Sequence, residues 1–176
     1  MHRFTTRRLV FTAVLAAVYA ALTMALGFMS YGPVQFRIAE ALCVLPFFFP
    51  CTAWGLIVGC LLANILGSPY VLDVVFGTLA TVLCCLAVIG LGRGDERSWP
   101  RCILTCLMPV VFNAVIVGAL IAYSETDSLF IGAFWPAFGF NALTVGGGEL
   151  AVMFVLGLPL MRWLPNSRFY PKLASY

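Results

Sequence analysis

Long apolar runs separated by short polar segments constrain the fold of this chain more than any other feature. They cover residues 9–29, 37–67, 73–91, 102–123 and 137–164. A helix needs about 20 apolar residues to cross the hydrocarbon core of a bilayer, and these runs are long enough. Hydrophobic residues make up 62% of the chain and charged residues 10%, whereas soluble domains carry about 25% charged residues. A soluble domain, a disordered chain and a nucleic-acid-binding protein are therefore excluded. We expect an all-α integral membrane protein with a single domain over 1–176.

The run 37–67 decides the number of membrane crossings. Pro46 and Pro50 interrupt it, so it is either one long kinked helix or two helices, which gives five or six crossings. Cytoplasmic segments of membrane proteins carry an excess of Lys and Arg. Six crossings with the N-terminus inside place nine of the ten basic residues in the cytoplasm: Arg3, Arg7, Arg8, Arg93, Arg97, Arg101, Arg162, Arg168 and Lys172. The sequence therefore predicts six transmembrane helices, both termini cytoplasmic, and a short second helix that bends at Pro46.

Polar side chains at membrane depth form the second informative pattern. Charged groups there are costly and usually functional. In the six-helix topology, eight such groups fall in the outer half or at the centre of the membrane: Gln35, Arg37, Glu40, Asn64, Asp73, Asn113, Asn141 and Glu149. Helices 2 to 6 all contribute, which predicts one pocket open to the outside. The aromatic residues Phe36 and Trp135 flank it and are candidates to stack on a flat ligand.

Each of these residues also has a purely structural interpretation. Arg37 can pair with Glu40 or Asp73, and Asp73 suits the N-cap of the fourth helix. Asn64 and Asn113 can join helices by hydrogen bonds. Glu149 is the deepest charge and has no basic residue within one turn of its own helix, so a ligand-binding or proton-carrying role is favoured. The glycines at 146–148 either allow close helix packing or leave room beside Glu149.

The first helix carries small residues at helical spacing. Alanines at 13, 17, 21 and 25 repeat every four residues, and Ala16 and Ala20 lie beside them. Such rows let another helix approach closely. They indicate either internal packing or a docking surface for another membrane protein.

The sequence lacks the usual motifs of membrane enzymes. It has no Gly-x-x-x-x-Gly-Lys-Ser/Thr phosphate loop, no Gly-x-Ser-x-Gly and no His-Glu-x-x-His. The one histidine is His2, and the seven cysteines have no histidine partner, so we interpret them as small hydrophobes rather than metal ligands. We expect neither an enzyme nor a metal site.

Four segments resemble the QueT family. They are Gln-Phe-Arg-Ile-Ala-Glu-Ala-Leu at 35–42, Val-Leu-Pro-Phe-Phe at 44–48, the segment from Trp54 to Asn64, and Asp-Val-Val-Phe-Gly-Thr-Leu-Ala-Thr at 73–81. QueT proteins are similar to the substrate-binding S-components of energy-coupling factor (ECF) transporters. The resemblance implies a six-helix bundle in the bacterial cytoplasmic membrane that captures a queuosine precursor, a 7-deazaguanine such as prequeuosine base or queuine. It also implies a transmembrane coupling protein and two cytoplasmic ATPases as partners; those partners use ATP, and the chain itself needs no cofactor.

The resemblance also assigns roles to residues. In S-components, an Ala-x-x-x-Ala face on helix 1 docks to the coupling protein, which matches Ala13, Ala17 and Ala21, and also Ala16 with Ala20. The loops 30–36, 67–72 and 124–135 would cover the site.

A deazaguanine also fits the chemistry of the predicted pocket. Glu149 can accept the two N–H groups of the guanine edge, and Asn113, Asn141 or Gln35 can donate to the ring oxygen. A cationic aminomethyl group would need a second acid, either Glu40 or Asp73. A stand-alone permease, and an S-component for biotin, riboflavin or thiamine, remain the alternatives.

Overall fold

The computed structural model describes residues 6–30, 35–68, 71–93, 98–127, 132–168 and 170, and these residues form helices and short connections. The α-helices are α1 (Thr6–Ala25), α2 (Gly27–Ser30), α3 (Thr52–Gly67), α4 (Val71–Leu91), α5 (Trp99–Thr126), α6 (Phe134–Val152) and α7 (Leu158–Trp163). A 3₁₀ helix (Ile38–Phe47) lies between α2 and α3. A π-helical turn (Met153–Gly157) joins α6 to α7, and a final 3₁₀ turn covers Leu164–Asn166.

Four helical stretches are long and apolar enough to cross a membrane. They are α1, α4, α5 and the continuous stretch from α6 to the final 3₁₀ turn, Phe134–Asn166. The 3₁₀ helix and α3 are apolar but shorter. The prediction of an all-helical membrane protein is confirmed, and the chain is a multi-pass membrane protein.

The 3₁₀ helix is the predicted short second helix, and it lies at the centre of the molecule. It packs against α1, α3, α4 and the π-helical turn, and Cys43 and Val44 on it are fully buried. Pro46 has no N–H to donate, so it cannot make an α-helical bond to the preceding turn. A 3₁₀ helix of ten residues is unusual, because such helices rarely exceed three or four residues.

Glycine brings α1 and α3 into close contact. A Cβ atom added at Gly59 of α3 would lie 2.8 Å from the carbonyl oxygen of Ala16 and 2.8 Å from Cβ of Tyr19. Gly55, one turn earlier, faces Thr12 of α1 in the same way. These two small residues let the backbones of α1 and α3 touch.

This packing divides the alanines of α1 into two rows. Ala16 and Ala20 are buried inside the bundle, whereas Ala13, Ala17 and Ala21 are exposed. Of the five alanines predicted to dock a partner, Ala16 and Ala20 thus lie inside the bundle, and only Ala13, Ala17 and Ala21 lie on the outer surface. The sequence pattern could not separate the rows, because both have the same spacing and composition.

Candidate functional site

Arg37 lies at the entrance to the central 3₁₀ helix and is almost completely buried, with 1% of its surface exposed. Its Nε donates a hydrogen bond to the carbonyl oxygen of Ser30 over 3.4 Å. The guanidinium also interacts electrostatically with Glu40 and Asp73. Both acids are thus close enough to influence the guanidinium, and the pairing of Arg37 with Glu40 or Asp73 stays a prediction.

Glu40 is held by donors from two elements. The hydroxyl of Tyr19 on α1 donates to Oε1, and Sγ of Cys43 donates to Oε2 over 3.0 Å. Tyr19, Glu40 and Cys43 are all buried. Both donors are neutral, so they orient the carboxylate without balancing its charge.

Glu149 of α6 and Asn113 of α5 form the third polar contact. Nδ2 of Asn113 donates to Oε1 of Glu149 over 3.3 Å. Glu149 also lies within electrostatic range of Glu40 and Arg37. The oxygens Oε2 of Glu149 and Oδ1 of Asn113 are buried and accept no hydrogen bond from the described part of the chain. Buried acceptors of this kind are costly, because they have lost water without gaining a partner.

Asn64 and Asp73 connect the end of α3 to the start of α4. Nδ2 of Asn64 donates to the backbone carbonyl of Asp73 over 3.2 Å, and the hydroxyl of Ser68 donates to Oδ2 of Asp73 over 2.6 Å. Asp73 is the third residue of α4 rather than its N-cap, so that structural interpretation is wrong. A carboxylate in the first turn still favours the helix through its dipole.

Together, the structure brings six of the predicted residues into one buried group, which we call the central polar cluster: Arg37, Glu40, Asn64, Asp73, Asn113 and Glu149. They come from α3, α4, α5, α6 and the 3₁₀ helix with its entrance. Gln35 is also buried, two residues before Arg37.

Three further residues were predicted for the pocket. Asn141 is buried, but its Nδ2 donates to Glu125 near the end of α5 over 2.9 Å, two turns away from Glu149 on α6. Trp135 is 68% exposed and contacts Phe134 edge-on, with ring centres 5.4 Å apart. Phe36 is half-buried. Asn141 and Trp135 therefore have partners outside the central polar cluster.

Among the glycines before Glu149, Gly146 packs against α5. A Cβ added at Gly146 would lie 3.2 Å from Cβ of Ala114 on α5, whereas one added at Gly147 would meet no atom within 4 Å. One turn away, a Cβ added at Gly118 would lie 2.9 Å from Cα of Ala142. The close approach of α5 and α6 brings Asn113 within reach of Glu149.

Tyr19 and Cys43 were not predicted as site residues. Tyr19 carried a usable signal, because a tyrosine in the middle of an apolar helix needs a partner for its hydroxyl. Cys43 carried none, since it is one of seven cysteines in apolar runs.

A cavity of about 620 Å³ lies elsewhere, between α4 and α5. Phe76, Leu79 and Ile116 are among its apolar walls. It offers few donors or acceptors, so a polar ring would lose its hydrogen bonds to water there without replacement.

The central polar cluster combines a guanidinium, three carboxylates and two amides in a dry interior. Such a site can recognise a small planar molecule that has both donors and acceptors at its edge. Among the described residues, no group of three or more His, Cys, Asp or Glu side chains has the geometry to hold a metal ion.

Comparison with known proteins identifies the family. The sequence model of the QueT transporter family matches residues 9–166. This chain belongs to the QueT transporter family. The resemblance seen in the sequence is confirmed, and the protein is a transporter rather than an enzyme.

The match includes every residue of the central polar cluster as well as Tyr19. A relative from Lactococcus lactis subsp. cremoris, named Queuosine precursor transporter QueT, is 38% identical over 157 residues. The alignment covers 76% of this chain and 92% of that relative. No solved structure matches the chain.

Proposed function

We propose that this QueT protein is the substrate-capture subunit of an ECF importer and binds a 7-deazaguanine in the central polar cluster. The observation that carries the proposal is the pair of unsatisfied acceptors, Oε2 of Glu149 and Oδ1 of Asn113. The guanine edge offers a ring N–H and an amino group side by side, which are the donors these oxygens lack. The name of the Lactococcus lactis relative supports the same class of ligand.

The remaining polar groups suit the rest of such a ring. The guanidinium of Arg37 has several N–H donors and suits the ring carbonyl oxygen. Gly77 on α4 lets that helix approach the cluster closely, because a Cβ there would lie 2.8 Å from Nδ2 of Asn64 and 3.9 Å from Nη1 of Arg37. Glu40, three residues after Arg37, is the acid closest to it in the sequence. The cluster therefore supplies acceptors and a donor to different edges of one flat molecule.

The proposed arrangement in the membrane has six crossings with both termini in the cytoplasm. The 3₁₀ helix spans about 20 Å at roughly 2.0 Å per residue, and α3 spans about 24 Å at roughly 1.5 Å per residue. Both are shorter than the hydrocarbon core of about 30 Å. A short second helix lets the segment before it enter the bundle, and this carries Arg37 and Glu40 to the depth of Glu149.

Coupling to ATP hydrolysis requires partner proteins. The sequence has no phosphate-binding loop of its own, so an active importer would need separate ATPases. The exposed row Ala13, Ala17 and Ala21 gives α1 a smooth outer face that a partner helix can approach closely. We propose that this face docks to the transmembrane coupling protein.

Native mass spectrometry and co-purification test the two halves of the proposal. The purified protein should retain prequeuosine base or queuine and should not retain biotin, riboflavin or thiamine. Protein expressed with its native partners should co-purify with a coupling protein and two ATPases. Uptake of the ligand by proteoliposomes that contain this chain alone would contradict the capture-subunit role and favour a stand-alone permease.

A further inference from the structure

Three sulfur-bearing side chains lie together near the start of α5 and in α7. Sγ of Cys106 on α5 donates a hydrogen bond to Sδ of Met161 on α7 over 4.0 Å. Cys102, one turn before Cys106, lies within electrostatic range of it. All three side chains are buried in the same core. The group joins two helices, and none of its members belongs to the central polar cluster.

The positions of the sulfurs suit a three-coordinate metal ion. A metal–sulfur bond of about 2.3 Å puts the ligands of a planar three-coordinate ion about 4.0 Å apart, which is the separation between Cys106 and Met161. Residues four apart lie on one face of a helix, so Cys102 and Cys106 share a side of α5. The hydroxyl of Thr105, which precedes Cys106, is buried and has no hydrogen-bond partner within the described residues. The group is therefore more than an apolar packing contact.

The types of donor select the metal. Soft thiolate and thioether ligands favour Cu(I), whereas Zn(II) takes four ligands from Cys, His and carboxylates. The two cysteines by themselves are one donor short, and the thioether of Met161, rather than a histidine, is the third. The guanidinium of Arg162 stacks over Trp99 in the first turn of α5, 4.3 Å from the ring centre. This positive charge at the same end of α5 would offset the negative charge that two thiolates and one monovalent ion leave.

We propose that Cys102, Cys106 and Met161 form a binding site for Cu(I), a soft monovalent metal ion, and that the bound ion links α5 to α7. Each thiol releases its proton to the solvent as its bond to the metal forms, and the oxidation state of the ion does not change. The site is separate from the proposed ligand site, and the proposed topology puts it toward the cytoplasmic side of the membrane. A bound ion should stabilise the folded protein, because the site exists only when the two helices are packed together.

Titration of the purified protein with Cu(I), against a coloured Cu(I) chelator and without oxygen, tests the site. We expect one tightly bound ion per chain, and X-ray absorption should show only sulfur ligands at about 2.3 Å. Cys102→Ser, Cys106→Ser and Met161→Leu should each weaken binding by at least about tenfold, since even outer-shell partners of metals contribute that much. Met161→Leu conserves the volume of the side chain, so a folding defect would not explain its effect.

Two matched variants serve as controls. Met153→Leu removes another buried methionine, and Cys84→Ser removes a buried thiol that lies close to Cys43. Both variants should bind one Cu(I) with the parental affinity. Cu(I) should also raise the unfolding temperature of the parent protein, and this shift should vanish in Cys106→Ser.

Three results would overturn the inference. Failure of the parent protein to take Cu(I) from the chelator would leave the three sulfurs as a packing contact. An unchanged affinity in Met161→Leu would show that the thioether is not a ligand. A loss in Cys84→Ser as large as that in Cys106→Ser would move the ion to the thiols near Cys43. None of these results affects the retention of a 7-deazaguanine, so the proposed function stands or fails separately.

Discussion

Gly77 of α4 faces two members of the central polar cluster. A Cβ atom there would lie 2.8 Å from Nδ2 of Asn64 and 3.9 Å from Nη1 of Arg37. The amide of Asn64 is already fixed by its bonds to the Asp73 carbonyl and to Cys60. A single methyl group at this position would therefore disturb the cluster without changing any polar residue.

Gly77→Ala should weaken ligand binding and lower the free energy of unfolding by about 1–3 kcal/mol, the usual cost of overpacking a buried contact. Gly90→Ala on the same helix is the control, because its added Cβ would meet no atom within 4 Å. The control should be neutral or slightly stabilising, since Ala favours a helix over Gly by about 1 kcal/mol. Thermal unfolding in detergent, with and without ligand, measures both effects. Equal behaviour of the two variants would show that the close packing of Gly77 against Asn64 is not needed.

The polar residues were largely predictable from the sequence, whereas their partners were not. Arg37, Glu40, Asp73 and Glu149 stand out because charges at membrane depth are rare and costly. The pairing of Glu40 with Tyr19 depends on how α1 rotates about its axis, and the apolar sequence of α1 does not fix that rotation. The partner of Asn141 was equally hidden, since its type and depth suited the pocket but its amide donates to Glu125.

At the scale of elements, α1 has two different faces. Tyr19 and Ala16 face the bundle, where they meet Glu40 and α3. Ala13, Ala17 and Ala21 face outward. One helix thus carries both a contact to the ligand site and the proposed docking surface, and the glycines of α3 fix its rotation.

Ala17→Trp should abolish uptake in cells and co-purification of the coupling protein, because it adds a large ring to the exposed row. Ligand binding by the purified protein should stay within about threefold, since Ala17 is exposed on the outer face of α1 whereas the cluster is buried, and distant sites act independently. Leu143→Trp is the control on α6, where Leu143 is 77% exposed. Loss of ligand binding in Ala17→Trp, or loss of uptake in both variants, would contradict the docking role.

The element pattern was partly predictable. The apolar runs predicted the long helices, and the prolines predicted the break between the 3₁₀ helix and α3. The 3₁₀ geometry of Ile38–Phe47 could not be read from the sequence, because a short apolar run with one proline also suits a bent α-helix. The two alanine rows of α1 look alike until Gly55 and Gly59 of α3 are known to face one of them.

At the scale of the whole molecule, the proposed topology rests on charge. Nine of the ten basic residues fall on one side of the membrane in a six-crossing arrangement with both ends inside. The connection before α5 is then cytoplasmic, and the connection after α5 is outside. The cluster would thus lie between the membrane centre and the outer surface, where a captured ligand can enter.

Cysteine labelling in whole cells checks this arrangement. Six of the seven native cysteines are buried, so after replacement of the partly exposed Cys51 we expect little background labelling. Asp127→Cys, after α5, should react with a membrane-impermeant maleimide, whereas Ser98→Cys, before α5, should react only after the cells are opened. Labelling of Ser98→Cys in intact cells would contradict the cytoplasmic termini and the six crossings.

The central claim is that Glu149 binds the guanine edge of a 7-deazaguanine, and calorimetric titration of Glu149→Gln with prequeuosine base tests it most directly. The substitution keeps size and shape but aims an N–H group at the donors of the ligand, so it should cost about 2–5 kcal/mol of binding. Glu125→Gln, the same change at an exposed glutamate, should leave the affinity unaltered. An affinity of Glu149→Gln within about threefold of the parent, which is less than 1 kcal/mol, would remove Glu149 from the site and contradict the account.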